Sequence, residues 1–153
     1  MEGDALEEKE LRENIINIEK HLRKVDYIIR LKGREILNDF NITVPQFTAL
    51  QILVNYGELT IGELSKKMAL ACSTITDLID RMEKSNLVIR KKDQNDRRIV
   101  RIEVLPIGHE IMKKVLEKRV RFLESKMVGL TDEEKLSLDK VLKSLHDVMT
   151  ENQ

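Results

Sequence analysis

The sequence predicts a mainly α-helical fold with a small β-hairpin wing, a winged helix-turn-helix flanked by N- and C-terminal dimerisation helices. Three observations carry this. A helix over Ile61–Met68, a turn over Ala69–Ala71 and a second helix over Cys72–Ser85 follow one another directly. Two short β runs come next, Leu87–Arg90 and Ile99–Val104, joined by the polar, basic loop Lys91–Arg98. Long amphipathic helical patterns lie on either side. The second helix of such a module fits a DNA major groove, and the hairpin can reach the backbone or minor groove beside it. The expected division is residues 1–40 as an N-terminal dimerisation helix, 41–105 as the winged module and 106–153 as C-terminal dimerisation helices.

Taken in order, Leu11, Ile15, Ile18, Leu22, Val25 and Ile29 step by four, three, four, three, four. That seam suits packing against another helix, and Ile16, Ile28 and Leu31 widen it. It reads either as an ordinary core helix or as a helix packed partly on a second subunit. The helix is expected to fray near Gly33 or to continue to about Asn38. Asn41–Pro45 breaks the pattern, with Thr43 or Val44 near the next cap and Pro45 in the first turn. Phe47, Leu50, Ile52, Leu53 and Tyr56 then form an apolar face, and Gly57 stops the helix. Thr60 and Glu63 make a capping box, in which hydroxyl and carboxylate each satisfy a backbone N–H. Leu64 and Met68 complete the inner face of this short helix.

In the second helix of the motif, Ile75, Leu78, Ile79 and Met82 recur at i, i+3, i+4, i+7 and form the buried stripe. The opposite face carries Ser73, Thr74, Thr76, Asp77, Asp80 and Arg81. Small hydroxyl residues there can approach bases and phosphates, and the free N–H groups of the helix start attract phosphate. Asn86 ends the helix. Val100, Ile102 and Val104 alternate with Arg101 and Glu103 as a half-buried strand. Pro106 opens a long helix marked by Ile107, Ile111, Val115, Phe122, Leu123 and Met127, ending near Gly129; Gly108 is unusual so near a helix start. Thr131 and Glu134 form a second capping box. Leu138, Val141, Leu142, Leu145, Val148 and Met149 give the last helix an apolar face. The expected dimer contacts are Leu11, Ile15, Ile18, Leu22, Leu138, Val141, Leu142 and Leu145.

Composition excludes several classes. No window approaches the roughly 18 apolar residues of a membrane span, so no membrane partner is expected. Met1–Lys20 is acidic without an apolar core, which gives no secretory signal. One cysteine, Cys72, precludes an intramolecular disulfide framework and fits a cytoplasmic location. Trp is absent, with two Tyr and three Phe, too few for a single-strand stacking platform. Net charge is zero, yet residues 90–101 hold six bases (Arg90, Lys91, Lys92, Arg97, Arg98, Arg101) against two acids (Asp93, Asp96). With a Debye length of about 8 Å, such an excess of four charges is read locally. At the tip, Asp96 is expected to hold the guanidinium of Arg98, with Arg97 beside it, ready for a narrow minor groove.

The stretch GELTIGELSKKMALACSTITDLIDRMEKSNLVIRKKDQNDRR, with the Asp-x-Arg core Asp96-Arg97-Arg98, resembles the MarR family of bacterial transcription regulators. The likeness runs from about Leu11 to Met149. It implies a homodimer built from the terminal helices, bound to double-stranded DNA at a palindromic operator. It further implies repression, with release when an effector acts near the junction of the dimer and DNA-binding parts; here that effector is an unknown small molecule. By the resemblance Ser73, Thr74 and Thr76 face DNA, Arg81 touches phosphate or braces its helix, and Arg98 enters the minor groove with Asp96 as its partner. The chain departs from the family pattern after the wing, where Val104-Leu105-Pro106-Ile107-Gly108 stands for the family's Leu-Thr-x-x-Gly, so that the capping threonine is lost and Pro106 compensates, at Ala71, a common capping position, and at Asp77. A carboxylate at Asp77 repels phosphate but can accept from a cytosine amine.

Enzymatic and metal chemistry are not expected. No nucleophile–base arrangement or Gly-rich phosphate loop occurs, so no catalytic residue is assigned. His21, His109 and His146 are scattered, which offers no metal site, and no cofactor is implied. Cys72 at a helix start is either a redox-sensitive thiol or a small residue packed at a turn. The rival to a DNA-binding regulator is a winged helix used for protein contact.

Overall fold

Thirty-eight residues of uninterrupted helix open the chain: α1 runs Glu2–Asp39. The computed structural model describes residues 2–151, with side chains described for residues 7–151. Gly33 does not break α1. The helix ends where Asn41 turns to φ 52° and the Ile42 N–H donates back to the Leu37 carbonyl at 3.1 Å. Then come α2 (Val44–Tyr56), α3 (Ile61–Met68) and α4 (Cys72–Lys84). The hairpin is β1 (Val88–Lys92) and β2 (Val100–Val104), followed by α5 (Pro106–Lys126), a single 3-10 turn (Met127–Gly129) and α6 (Asp132–Thr150).

Local chemistry sets each boundary. The capping boxes expected at Thr60 and Thr131 are both formed. A third joins them at α2, where the Gln46 N–H donates to the Thr43 hydroxyl at 3.3 Å and the Gln46 amide oxygen accepts from the Thr43 N–H at 3.0 Å. Gly57 caps α2 at φ 83°, a left-handed value that glycine adopts without the Cβ penalty. The strands differ from expectation in length. Lys91 and Lys92 belong to β1, because the antiparallel ladder from Val88↔Val104 extends to Lys92↔Val100. The wing loop is correspondingly shorter. Leu59 adds an isolated bridge to Ile102 on the free edge of β2.

The chain divides into two compact units, Met1–Val115 and Leu116–Gln153. The core of the first gathers the end of α1 (Ile36, Leu37), α2 (Phe47, Leu50, Leu53), Leu64 of α3, the four-residue stripe of α4, and Val88 and Ile102 of the hairpin. Met112 and Val115 of α5 close it. Within the first unit, Tyr56, Val100 and Ile107 fit the apolar patterns of the sequence but are exposed. Tyr56 lies at the last turn of α2, where its ring stacks under the Lys67 ammonium at 3.5 Å rather than entering the core. Val100 stands at the open end of the hairpin, past the point where β2 meets the body.

Gly108 is explained by close packing. A Cβ there would lie 2.5 Å from the Leu87 carbonyl oxygen and 2.8 Å from Val104 Cγ1. The first turn of α5 therefore lies directly on the base of the hairpin.

The seam of α1 is uncovered within its unit. Leu11, Ile15, Ile18 and Leu22 are all exposed, Leu11 by 63%. Ile15, Ile18 and Leu22 line a shallow depression edged by Glu19, Arg23 and Asp26. Separately, in the second unit, Leu138, Val141, Leu142 and Leu145 of α6 are exposed as well.

Candidate nucleic-acid interface

The N-terminus of α4 is open. Its cap residue, Ala71, has extended backbone angles but makes no side-chain capping bond, so the first N–H groups of the helix point outward without a protein acceptor from that side chain. Cys72, Ser73 and Thr74, in the first turn, are exposed. The Thr76 hydroxyl donates to the Cys72 carbonyl at 2.9 Å, and Thr76 is half-buried. Its oxygen keeps acceptor capacity. Asp77 and Arg81 are exposed, and neither takes part in an ion pair among the described residues. The buried stripe is the expected one, Ile75, Leu78, Ile79 and Met82, so Ser73 and Asp77 point away from the core.

At the wing tip the Asp93 carboxylate holds the turn. One oxygen accepts the N–H groups of Asn95 at 2.8 Å and Asp96 at 3.1 Å, and the other accepts Arg101 Nε at 2.6 Å. The Arg101 bond first, with those two amides, holds the Asp93 carboxyl at about 2. Asp96 does the same for its neighbour. Its Oδ1 accepts the Arg98 N–H at 3.0 Å and Arg98 Nε at 3.1 Å, while Oδ2 takes Nη2 at 3.3 Å. The Arg98 side chain is 91% exposed. It is therefore a fixed guanidinium presented to solvent. Its bond lowers the Asp96 carboxyl below the ordinary carboxylate value.

The expected excess of four positive charges on the hairpin needs correction. Acids distant in sequence fold onto the strand bases. Arg90 meets Asp80 at 2.7 Å and Glu83. Lys91 meets Glu103 at 3.1 Å and Glu58 at 3.9 Å. Arg101 meets Glu63 at 3.7 Å besides Asp93, and donates to the Glu58 carbonyl. Among the described residues only Lys92 and Arg97, of the six bases, have no carboxylate partner. Sequence reasoning counted Arg90 and Arg101 in the local charge excess and missed them as internal ties. The signal present was Asp80 and Glu83 three apart on α4, but no local spacing rule links them to a strand residue beyond the next turn. Among the described residues no group of three His, Cys, Asp or Glu side chains stands close enough to hold a metal. No helix there is long and apolar enough to cross a membrane.

Known proteins resemble this chain in sequence and in fold. The MarR family model matches residues 42–100, which span α2 through the wing. An HTH-type transcriptional regulator of Bacillus subtilis, YsmB, is 53% identical over 137 residues, covering 90% of this chain and 94% of its own. The B. subtilis transcriptional repressor MdtR is 30% identical over 95 residues, 62% of this chain and 61% of its own. Among solved structures, a MarR family protein from Bacillus stearothermophilus is 45% identical with a TM-score of 0.83, covering 91% of this chain and 97% of that one. Likeness at that identity, over nearly the full length of each chain, goes beyond the shared wing: the protein belongs to the MarR family of helix-turn-helix transcriptional regulators, and not to the enzymes.

Proposed function

We propose that the protein is a cytoplasmic homodimeric repressor that binds a palindromic operator in double-stranded DNA and leaves it when a small-molecule effector binds. The observation that carries this reading is Arg98, held by Asp96 in three bonds yet almost wholly exposed. A guanidinium fixed and aimed outward at a hairpin tip has no folding role to satisfy, and a narrow minor groove rewards it. Ser73, Thr74, Thr76, Asp77 and Arg81 of α4 face the major groove, with phosphate at the uncapped helix start. Arg97 meets the backbone beside Arg98. Asp77, pointing away from the core and without a basic partner among the described residues, accepts from a cytosine amine and favours that base.

Residues 41–105 do the reading, and residues 1–40 and 106–153 supply the dimer. The exposed apolar residues of α1 (Leu11, Ile15, Ile18, Leu22) and of α6 (Leu138, Val141, Leu142, Leu145) support this, since contiguous exposed apolar surface marks a partner. The two recognition helices then address half-sites about 34 Å apart. The effector acts by binding more tightly to a dimer whose helices have the wrong spacing. The relative MdtR, named as a repressor, supports that direction of control.

The test is a titration of labelled duplexes by the purified protein across salt concentrations, using the DNA upstream of its own gene and a scrambled control. Tight, salt-dependent binding to the first is expected. Equal affinity for both, or no binding at low salt, would favour a winged helix used for protein contact.

A further inference from the structure

Arg90 makes a contact set unlike that of any other wing residue. Its backbone N–H donates to Glu83 Oε1 at 2.8 Å, its Nη1 to Glu83 Oε2, and its Nη2 meets Asp80 Oδ1 at 2.7 Å. Nη2 also reaches the Thr76 carbonyl at 3.5 Å. Thr76, Asp80 and Glu83 are spaced i, i+4, i+7 on α4, so they form one flank of that helix. The Arg90 side chain is 26% exposed. One strand residue thus grips one flank of the recognition helix.

Its place in the hairpin makes this grip consequential. A two-stranded hairpin is marginal on its own and takes its position from what it packs on. Val88 and Ile102 anchor its inner face in the core. Arg90 pairs with Ile102, and the next pair on the same face, Lys92↔Val100, is already exposed. Arg90 therefore ties β1 to α4 at the point where the wing leaves the body. Arg101 ties the other strand to the 58–63 segment instead.

We propose that Arg90 is a positioning residue for operator binding: it fixes the wing, and with it Arg98, at one angle to the recognition helix. A planar fork with two carboxylates and a carbonyl in reach holds an angle that a point charge cannot. Its charge is answered inside the protein, so it adds nothing to the phosphate count. This inference rests on the DNA-binding reading above.

The experiment uses the full chain and the duplex that the wild-type protein enriches from a randomised pool. Arg90→Lys keeps the charge and loses the fork. Its affinity for that duplex is expected to fall about 5- to 150-fold, the range of one lost wing contact, with the salt slope unchanged. Arg98→Ala should then cost at least threefold less on the Arg90→Lys background than on wild type, while Ser73→Ala costs the same on both. A purely structural role would lower the melting temperature and leave affinity and the cycle unmoved. Asp80→Asn, which spares Glu83, repeats the test in case Arg90→Lys folds poorly. Wild-type affinity in both variants, or an Arg98→Ala cost equal on both backgrounds, overturns the positioning role alone. Failure of the wild-type protein to enrich any duplex overturns the DNA-binding reading and the positioning role with it.

Discussion

Replacing Gly108 by alanine places a methyl group 2.5 Å from the Leu87 carbonyl oxygen, 2.8 Å from Val104 Cγ1 and 3.3 Å from Leu50 Cδ2. None of these can easily give way. The Leu87 carbonyl is held by the Leu105 N–H at 2.9 Å, and Leu87 and Leu50 are buried. Relief must come from sliding the start of α5 away from the hairpin base. Overpacking of this kind costs about 1–3 kcal/mol. Alanine returns at most about 1 kcal/mol of helix propensity, and less in a first turn. The net expectation is a loss of about 1–2 kcal/mol. With a urea slope of about 1–3 kcal/mol/M, the midpoint drops by roughly 0.3–2 M. The assay is urea unfolding at fixed protein concentration, since dimer stability depends on it. Gly62→Ala is the control, because its added methyl meets nothing nearer than 3.9 Å. A Gly108→Ala midpoint equal to or above that of wild type would refute the close-packing argument.

Four further perturbations bear on the interface. Arg98→Ala is expected to weaken duplex binding and reduce the salt slope by about one, whereas Asp96→Asn weakens binding with the slope kept, because the charge stays and its orientation is lost; equal slopes in both variants contradict this split. Ala71→Ser adds the missing cap of α4 and should stabilise the protein by about 0.5–2 kcal/mol, yet weaken duplex binding because the hydroxyl competes with phosphate for the same N–H groups. Tighter binding by this variant would show that phosphate does not use the helix start. The folded Asp93 carboxyl titrates at about 2, below its unfolded value of about 3.9. Its contribution to the wing turn is therefore fully present above about pH 4 and lost as pH falls toward 2. Hydrogen exchange at the Asn95 and Asp96 amides reads this, and protection that stays level from pH 5 to 2 would contradict it.

Most of the fold was legible because its elements are defined locally. The stripe at Ile75, Leu78, Ile79 and Met82, the capping boxes at Thr60 and Thr131 and the stop at Gly57 each depend on residues within a turn or two of one another. The grip of Asp96 on Arg98 was legible for the same reason, at two residues' separation. What escaped depends on approach between distant segments. Gly108 reads as a poor helix former until Leu87 and Val104 are placed against it. Tyr56 and Val100 fit the apolar patterns of their elements, but the core ends before it reaches them. The ladder through Lys91 and Lys92 was hidden because two consecutive lysines look like loop, although a strand edge leaving the core accommodates them.

The ion pairs of the wing also change how zero net charge is understood. In the sequence, the acids that bring the net charge to zero lie mostly outside the basic hairpin. In the folded chain Glu58, Glu63, Asp80 and Glu83 lie against the hairpin's own bases, so the same residues that cancel its charge fix its shape. Few cations are then left for indiscriminate contact with phosphate. Non-specific affinity rests on the number of phosphates neutralised, and a wing with, among the described residues, two bases lacking a carboxylate partner and one oriented arginine is poorly equipped for it. Such a reader must draw more of its binding from matched geometry at bases and groove width, where rigidity is rewarded. The acids that make the chain neutral are, on this argument, part of what would let it discriminate between one DNA sequence and another.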